Sequence, residues 1–140
     1  MADFLSKEDR SILMGKVRRS GTSPELAVRR LTRRLGYGYR LRRRDLPGRP
    51  DLVFPGKRAV IFVHGCFWHR HEGCRKASMP SSNVEFWFAK LEANKLRDRS
   101  VVKELGESGW RSLVIWECEV RDETEVEARL REFLGPRIRR

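Results

Sequence analysis

Apolar residues recur at every third or fourth position in four segments of the chain, the spacing that places them on one face of a helix. The predicted helices cover roughly residues 6–17, 24–35, 82–108 and 123–134. Ser23 and Pro24 suit a helix start, because a serine hydroxyl can cap free backbone N–H groups and proline fits the first turn. In that helix we expect Leu26 to face inward together with Leu31 and Leu35.

The longest predicted helix opens with Ser82–Glu85, which has the spacing of a capping box. Its apolar positions include Phe86, Leu91 and Leu105, and we expect them on its buried face. The last predicted helix ends at Leu134, and residues 135–140 are expected to form a frayed basic tail.

Runs of consecutive apolar residues predict the strands of a small sheet. Residues 51–54 and 58–64 flank Pro55-Gly56, which predicts a hairpin turn, and residues 110–116 predict another core strand. Residues 39–43 are a candidate strand with a basic edge. Strands that alternate with helices indicate an α/β domain, a small mixed sheet flanked by helices. We find no repeat in the sequence, so residues 1–140 are interpreted as one domain with an N-terminal helical arm over 1–20.

The net charge of the chain favours functions that involve a negatively charged partner. The 140 residues include 31 lysines and arginines against 19 aspartates and glutamates, a formal net charge of +12 and a pI of about 10.6. Such an excess attracts polyanions, and nucleic acid above all. The alternative is a basic surface that only keeps the protein soluble. No apolar run reaches membrane-spanning length and the N-terminus lacks a signal-peptide layout, so we expect a cytoplasmic protein.

Scarce, reactive side chains are concentrated between residues 60 and 74. This stretch holds all three histidines and two of the three cysteines, at the end of an apolar run. Three thiolates and one imidazole suit a closed, tetrahedral zinc site, and thiols in a reducing cytosol seldom form disulfides. The predicted zinc ligands are Cys66, His71, Cys74 and Cys118. The alternative is that Cys118 is an ordinary buried cysteine and the other ligands are incidental.

Two histidines, His64 and His69, remain outside that ligand set. A neutral imidazole can act as a general base or hydrogen-bond to a metal-bound water. Phosphodiester hydrolysis also needs a carboxylate to hold Mg²⁺, and Asp51 lies on the neighbouring strand of the predicted hairpin. An aspartate after proline is often only a turn residue, and the hairpin geometry with His64 is what favours catalysis. Glu25 is a further candidate, although a carboxylate in a first helical turn also suits the helix dipole.

Phe67 and Trp68 lie in a polar loop flanked by glycines, where two large aromatic side chains expose apolar surface. In a basic nucleic-acid-binding protein such side chains can stack on bases or unstack base pairs. Trp87, at the start of the long helix, is placed to join them. Aromatic residues beside a zinc loop also commonly cover the metal, and the residues alone leave both interpretations open.

The chain carries four motifs that belong together: Leu46-Pro-Gly-Arg-Pro-Asp51, Ile61-Phe-Val-His-Gly-Cys-Phe-Trp-His69, Glu85-Phe-Trp87 and Trp116-Glu-Cys118. With them, the chain from about Ser6 to Leu134 resembles the very short patch repair (Vsr) endonuclease family, bacterial nickases acting at T:G mismatches. The resemblance implies a restriction-endonuclease-like fold, a divergent relative of the PD-(D/E)xK nucleases. In that fold Pro50-Asp51 corresponds to the PD element.

The resemblance also implies a role for each candidate residue. Asp51 and the main-chain carbonyl of Val63 would bind Mg²⁺, with valine standing where the family commonly has threonine. His64 and His69 would serve the catalytic water and the phosphate, and Glu25 would hydrogen-bond to a metal-bound water. The four ligands named above would hold Zn²⁺. The implied DNA-contacting residues are Met14 on the N-terminal arm, Phe67, Trp68 and Trp87 as a wedge, and Lys90 and Asn94 facing the mismatched bases.

The activity implied by the resemblance is Mg²⁺-dependent nicking 5′ of the thymine in T:G mismatches that arise when 5-methylcytosine deaminates. We expect a cytoplasmic, nucleoid-associated monomer that acts on mismatched double-stranded DNA, with mismatch-repair proteins as candidate partners. Val63, and a His71–Cys74 spacing one residue longer than the family pattern, keep two alternatives open. One is a nuclease of the same fold with another DNA substrate. The other is a zinc-stabilised DNA-binding module without catalysis.

Overall fold

The structure is a computed structural model that describes residues 22–41, 43–74 and 80–136. The predicted helix over residues 6–17, with Met14 on it, and the tail from residue 137 lie outside the described residues. We number the helices α1 (Ser23–Arg34), α2 (Val84–Glu107) and α3 (Glu123–Leu134), and the strands β1 (Leu52–Phe54), β2 (Ala59–His64) and β3 (Arg111–Trp116). None of these helices is long and apolar enough to cross a membrane.

β2 is the central strand of the sheet. β1 pairs with it in the antiparallel direction and β3 in the parallel direction, with His64 beside Trp116, so the predicted mixed sheet is confirmed. A 3₁₀ turn over Pro55–Lys57, closed by Arg58 at φ 48°, replaces the predicted two-residue hairpin turn. Because β2 and β3 run parallel, their carboxyl ends meet at one edge of the sheet.

The prediction of a strand over residues 39–43 is wrong for the described residues of this segment, 39–41 and 43. There the segment makes a single bridge, between Arg40 and Val53. β1 has only three residues, so it offers a neighbouring segment little backbone to pair with.

Alternate residues of β2 point to opposite faces of the sheet, and different helices cover the two faces. On one face Ala59 and Ile61 share a core with the buried residues of α1 and α3. On the other face Val60 and Phe62 pack with Leu105 of α2. α2 therefore covers its face of the sheet alone within the described residues, and it is long enough to extend past the sheet edge.

Helix α1 buries Leu31 as predicted, but not Leu26. Its N-cap is Thr22, one residue before Ser23, and the Thr22 side chain accepts a hydrogen bond from the Glu25 N–H. Leu26 is 47% exposed, whereas Glu25 is only 2% exposed. The helix is thus rotated so that a carboxylate, not a leucine, points inward at its first turn. A buried carboxylate is rare without a compensating partner, so the groups around Glu25 are described with the active site below.

The start of α2 also corrects two predictions. The capping box is not formed, because the N-cap residue is Asn83 in the left-handed region at φ 54°, without a side-chain cap bond. Phe86, predicted to face inward, is 42% exposed, and Trp87 is buried at 3% exposure in its place. Leu91 and Leu105 are fully buried as predicted.

The loop before β1 contains a glycine that close packing requires. Gly48 has φ 75°, and a Cβ there would lie 2.5 Å from a methyl carbon of Val101 and 3.2 Å from the Phe62 ring. We expect Gly48→Ala to lower the free energy of unfolding by about 1–3 kcal/mol, measured by urea unfolding. Gly38→Ala is the control, since a Cβ there meets nothing within 4 Å. Equal losses in the two variants would contradict this requirement.

Candidate active site and metal centre

The sheet edge formed by the ends of β2 and β3 carries the predicted functional residues. The loop of residues 65–74 leaves β2 at this edge, and a 3₁₀ turn over Glu117–Glu119 leaves β3. A cleft of about 740 Å³ opens beside it, between α1, this loop and α2. The residues lining it include Glu25, Asp51, His64, Phe67, Trp68, His69, Asn94 and Asp98.

The four predicted zinc ligands lie together, with their ligand atoms all within 4.8 Å of one another. The Nδ1 atom of His71 is 3.5 Å from the Cys66 sulphur and 3.4 Å from the Cys118 sulphur. These lengths match the edge of a tetrahedron built on Zn–S and Zn–N bonds of about 2.3 and 2.0 Å. In the metal-free protein, burial raises the pKa of the Cys66 thiol to about 12. A bound cation would displace that proton, because thiolates are the ligands.

A glycine in the left-handed conformation lies between His71 and Cys74. Gly73 has φ 73°, and a Cβ there would meet nothing within 4 Å. Glycine adopts this left-handed backbone without the strain that a side chain would bring. The chain turns at this glycine, and His71 and Cys74 lie in one cluster.

Asp51 and Glu25 form a pair of carboxyl groups in the cleft, with Glu25 buried and Asp51 half-buried. Asp51 Oδ2 accepts a hydrogen bond of 2.7 Å from the Val63 N–H, and Glu25 forms an ion pair with Arg29. Burial raises the pKa of Asp51 to about 7, the Val63 hydrogen bond opposes this, and the neighbouring Glu25 adds to the rise. The raised pKa favours the protonated form of Asp51, and a bound cation would favour the ionised form.

The raised pKa of Asp51 has a measurable effect on stability. A carboxyl group whose folded pKa exceeds its unfolded value, here 3.8, lowers the free energy of unfolding as pH rises from the unfolded to the folded pKa. Asparagine keeps an acceptor for the Val63 N–H and does not ionise. Between about pH 5 and pH 8, we expect magnesium-free Asp51→Asn to gain about 2–3 kcal/mol of unfolding free energy relative to wild type.

Urea unfolding across this pH range measures the difference. Asp45→Asn is the control, because Asp45 is exposed and its hydrogen bond with Arg43 holds the pKa of its carboxyl below the usual value. Its titration therefore falls below the tested range. Parallel pH profiles for wild type and Asp51→Asn would contradict the prediction.

The two remaining histidines stack on each other, with ring centroids 3.8 Å apart and planes 6° from parallel. His64 is buried at 8% exposure, and its Nδ1 atom has no hydrogen-bond partner among the described residues. Burial lowers the pKa of His64 to about 4, so this imidazole is neutral at neutral pH. His69 Nδ1 lies 2.7 Å from Asp98 Oδ2. The pair thus combines a neutral imidazole with one that a carboxylate orients.

Sequence reasoning missed Asp98. It lies one helical turn after Asn94 on α2, far along the chain from either histidine. The one available signal was that i, i+4 spacing, which places both side chains on the same helix face. A spacing of this kind does not show that the face lies against the histidines.

The aromatic residues of the loop rest on α2. Ring centroids of Phe67 and Trp68 are 5.5 and 5.9 Å from that of Trp87, and 5.0 Å from each other. The Asn94 amide donates a 3.1 Å hydrogen bond to the Trp68 carbonyl. Trp87 is buried, Phe67 and Trp68 are half-buried, and Lys90 lies one turn before Asn94. The cluster supports the loop, and the predicted DNA contacts of these residues stay predictions.

Comparison with known proteins identifies the family. A family model described as DNA mismatch endonuclease Vsr matches residues 2–76, which include Glu25, Asp51, both stacked histidines and three of the four clustered metal-ligand candidates. The chain belongs to the Vsr family of DNA mismatch endonucleases. The predicted family and the predicted endonuclease class are thereby confirmed.

Individual relatives of this Vsr family chain match along most of their lengths. The type II nicking enzyme V.XorIIP of Xanthomonas oryzae is 52% identical over 97% of this chain and 99% of its own. The DNA mismatch endonuclease Vsr of Escherichia coli K12 is 41% identical over 86% of this chain and 77% of its own. The type II nicking enzyme V.NmeAIP of Neisseria meningitidis is 36% identical over 93% of this chain.

Proposed function

We propose that the chain nicks double-stranded DNA at T:G mismatches, 5′ of the thymine, by Mg²⁺-dependent hydrolysis. The observation that carries this proposal is the convergence, in one cleft, of the carboxyl pair and the stacked histidines. Relatives named as nicking enzymes and as a mismatch endonuclease support the strand-nicking reaction and the substrate. T:G pairs arise when 5-methylcytosine deaminates, so a nick in the thymine strand would begin repair towards C:G.

We also propose that the domain has the restriction-endonuclease-like fold, with Pro50-Asp51 in the place of the PD element. The mixed sheet supports this, because Asp51 lies at the entry to β1 and His64 at the end of its antiparallel partner β2. Hairpin pairing places the two residues at the same end of the sheet, as a metal-dependent hydrolase requires.

The residues fit a bound magnesium ion. Asp51 and the main-chain carbonyl of Val63 would hold it, and Glu25 would receive a hydrogen bond from one of its waters. The fit rests on the donor set, since oxygen ligands suit Mg²⁺ and a carboxyl pair gains from a cation. When bound, the ion supplies positive charge near the phosphate oxygens.

His64 and His69 would have different roles in catalysis. Asp98 accepts the Nδ1–H of His69 and so leaves the Nε2 atom free to take a proton from the attacking water. His64 stays neutral because burial lowers the pKa of its ring. It would therefore hydrogen-bond to water or phosphate at the cleft floor without carrying charge.

The zinc assignment rests on the tetrahedral edge lengths and on three thiols with one imidazole. Zn²⁺ at Cys66, His71, Cys74 and Cys118 would tie the loop that follows β2 to the turn that follows β3. We propose a structural role, because four protein ligands leave no open position for substrate.

Mismatch selection would come from the aromatic loop. A T:G wobble pair is more easily deformed than a matched pair, so a wedge of Phe67 and Trp68 supported by Trp87 costs less energy there. Arg49 and Arg97 line the cleft and would neutralise backbone phosphates. Lys90 and Asn94, with Met14 outside the described residues, are the proposed contacts to the mismatched bases.

A nicking panel tests the proposal. Duplexes with every mismatch, in several flanking sequences and labelled on either strand, are incubated with and without Mg²⁺. We expect a single nick 5′ of the thymine in T:G duplexes, only with Mg²⁺. Equal cutting of matched and mismatched duplexes would contradict the proposed mismatch specificity. Tight binding without cleavage would contradict the proposed catalytic activity.

A further inference from the structure

A row of four aromatic rings connects the metal ligands to the stacked histidines. The Trp116 indole lies parallel to the His71 imidazole, with centroids 4.2 Å apart and planes 7° from parallel. The indole also meets the His64 ring edge-on at 5.2 Å and 75°, and the His69 ring at 6.4 Å and 68°. His64 then stacks on His69. We call the four residues His71, Trp116, His64 and His69 the ring row.

The backbone fixes Trp116 within this row. It is the last residue of β3 and the register partner of His64, the last residue of β2, so both side chains point to the same face of the sheet. The backbone N–H of Trp116 donates a 2.8 Å hydrogen bond to the Glu119 carboxylate. Glu119 in turn forms a 2.9 Å ion pair with Arg129 of α3. The backbone of Trp116 is therefore held by β3 and by the turn that follows it.

Ring packing is what sets the orientation of His64. Rotation of an imidazole about χ2 is a broad, soft torsion, which hydrogen bonds normally hold. The Nδ1 atom of His64 has no such bond among the described residues, so the rings packed against it, those of Trp116, His69 and Phe62, are left to hold its plane. Trp116 also stacks on the ring of His71.

We propose that Trp116 is a positioning residue that couples the metal centre to the catalytic histidines. It holds the His64 ring at the angle needed for reaction and transmits to it any displacement of His71. This inference rests on the proposed nicking function, in which His64 and His69 act on water and phosphate.

Three variants test the coupling in the full chain. Trp116→Leu removes the ring, Trp116→Phe restores one, and Trp110→Leu is the matched control at the opposite end of β3. We expect Trp116→Leu to lower the single-turnover nicking rate on a T:G duplex by about 10–100-fold, with duplex affinity nearly unchanged, because misplaced groups slow chemistry on this scale. Trp116→Phe should recover most of the rate, and Trp110→Leu should keep it.

Imidazole NMR supplies a readout that needs no DNA. The chain has three histidines, so their ring signals are few enough to assign. We expect Trp116→Leu to shift the signals of His64 and His71 while the protein keeps its zinc, and Trp110→Leu to leave them in place. If leucine impairs folding, Trp116→Met, whose flexible side chain fills gaps, replaces it.

Unchanged imidazole signals would overturn the proposal, as would loss of zinc or equal nicking by the two leucine variants. If wild type does not nick a T:G duplex, the proposed function fails, and the imidazole signals still decide whether Trp116 sets the histidine rings.

Discussion

We expect Asp51→Ala to lower the single-turnover rate of nicking of a T:G duplex by at least about 10³-fold, the scale on which catalytic groups act. The residue supplies the carboxylate of the proposed magnesium site, and its Oδ2 also accepts the Val63 N–H at 2.7 Å. Alanine removes both contacts. Gel-based nicking at saturating enzyme measures the rate.

Asp45→Ala is the matched control for this experiment. Asp45 lies in the loop leading to β1, but its side chain is 62% exposed and pairs with Arg43 at the surface. Its removal should leave the nicking rate within about 2-fold, as for most exposed ion pairs. Nicking by Asp51→Ala at the rate of this control would contradict the proposed active site.

Cys118→Ala is expected to have the largest effect on stability. It is the one predicted zinc ligand that comes from the β3 side of the sheet edge, and its sulphur lies 3.4 Å from His71. Three remaining ligands bind zinc weakly, and metal binding is coupled to folding. We expect metal content to fall from about one ion per chain to well below that, and the melting temperature to fall by about 10 °C or more.

Metal analysis and thermal melting of the same preparation test this together. Glu72→Gln is the control, since Glu72 lies next to His71 but its side chain is 83% exposed and pairs with Lys95. It should keep both the metal and the melting temperature. A Cys118→Ala variant that holds stoichiometric zinc would show that Cys118 is an ordinary cysteine.

The sequence could predict the parts of the site that follow from strand pairing and residue inventory. The apolar runs on either side of Pro55-Gly56 place Asp51 near His64, because a hairpin pairs its neighbours in order. Cys118 could be grouped with two distant cysteines only because so few candidates exist. Both predictions depend on the order of the strands and helices along the chain, and not on the angles at which they pack.

The departures of the structure from the sequence predictions depend on how whole helices are rotated. Glu25 faces inward and Leu26 outward, since the first turn of α1 packs against the Asp51 carboxyl and not only against the apolar sheet. Trp87 replaces Phe86 on the buried side of α2 because the aromatic loop, not the sheet, covers that end of the helix. Asp98 becomes visible only once that rotation is known.

The pairing of β2 with its neighbours also separates regions where the chain can change length from regions where it cannot. Adding one residue within β2 would reverse the face to which each following side chain of the strand points, including that of His64, and would break its register with Trp116. Gly73 lies in the loop beyond the strands, and a Cβ there would meet nothing within 4 Å, so the loop has room that β2 lacks. We therefore expect an added residue to be tolerated at Gly73 and not within β2.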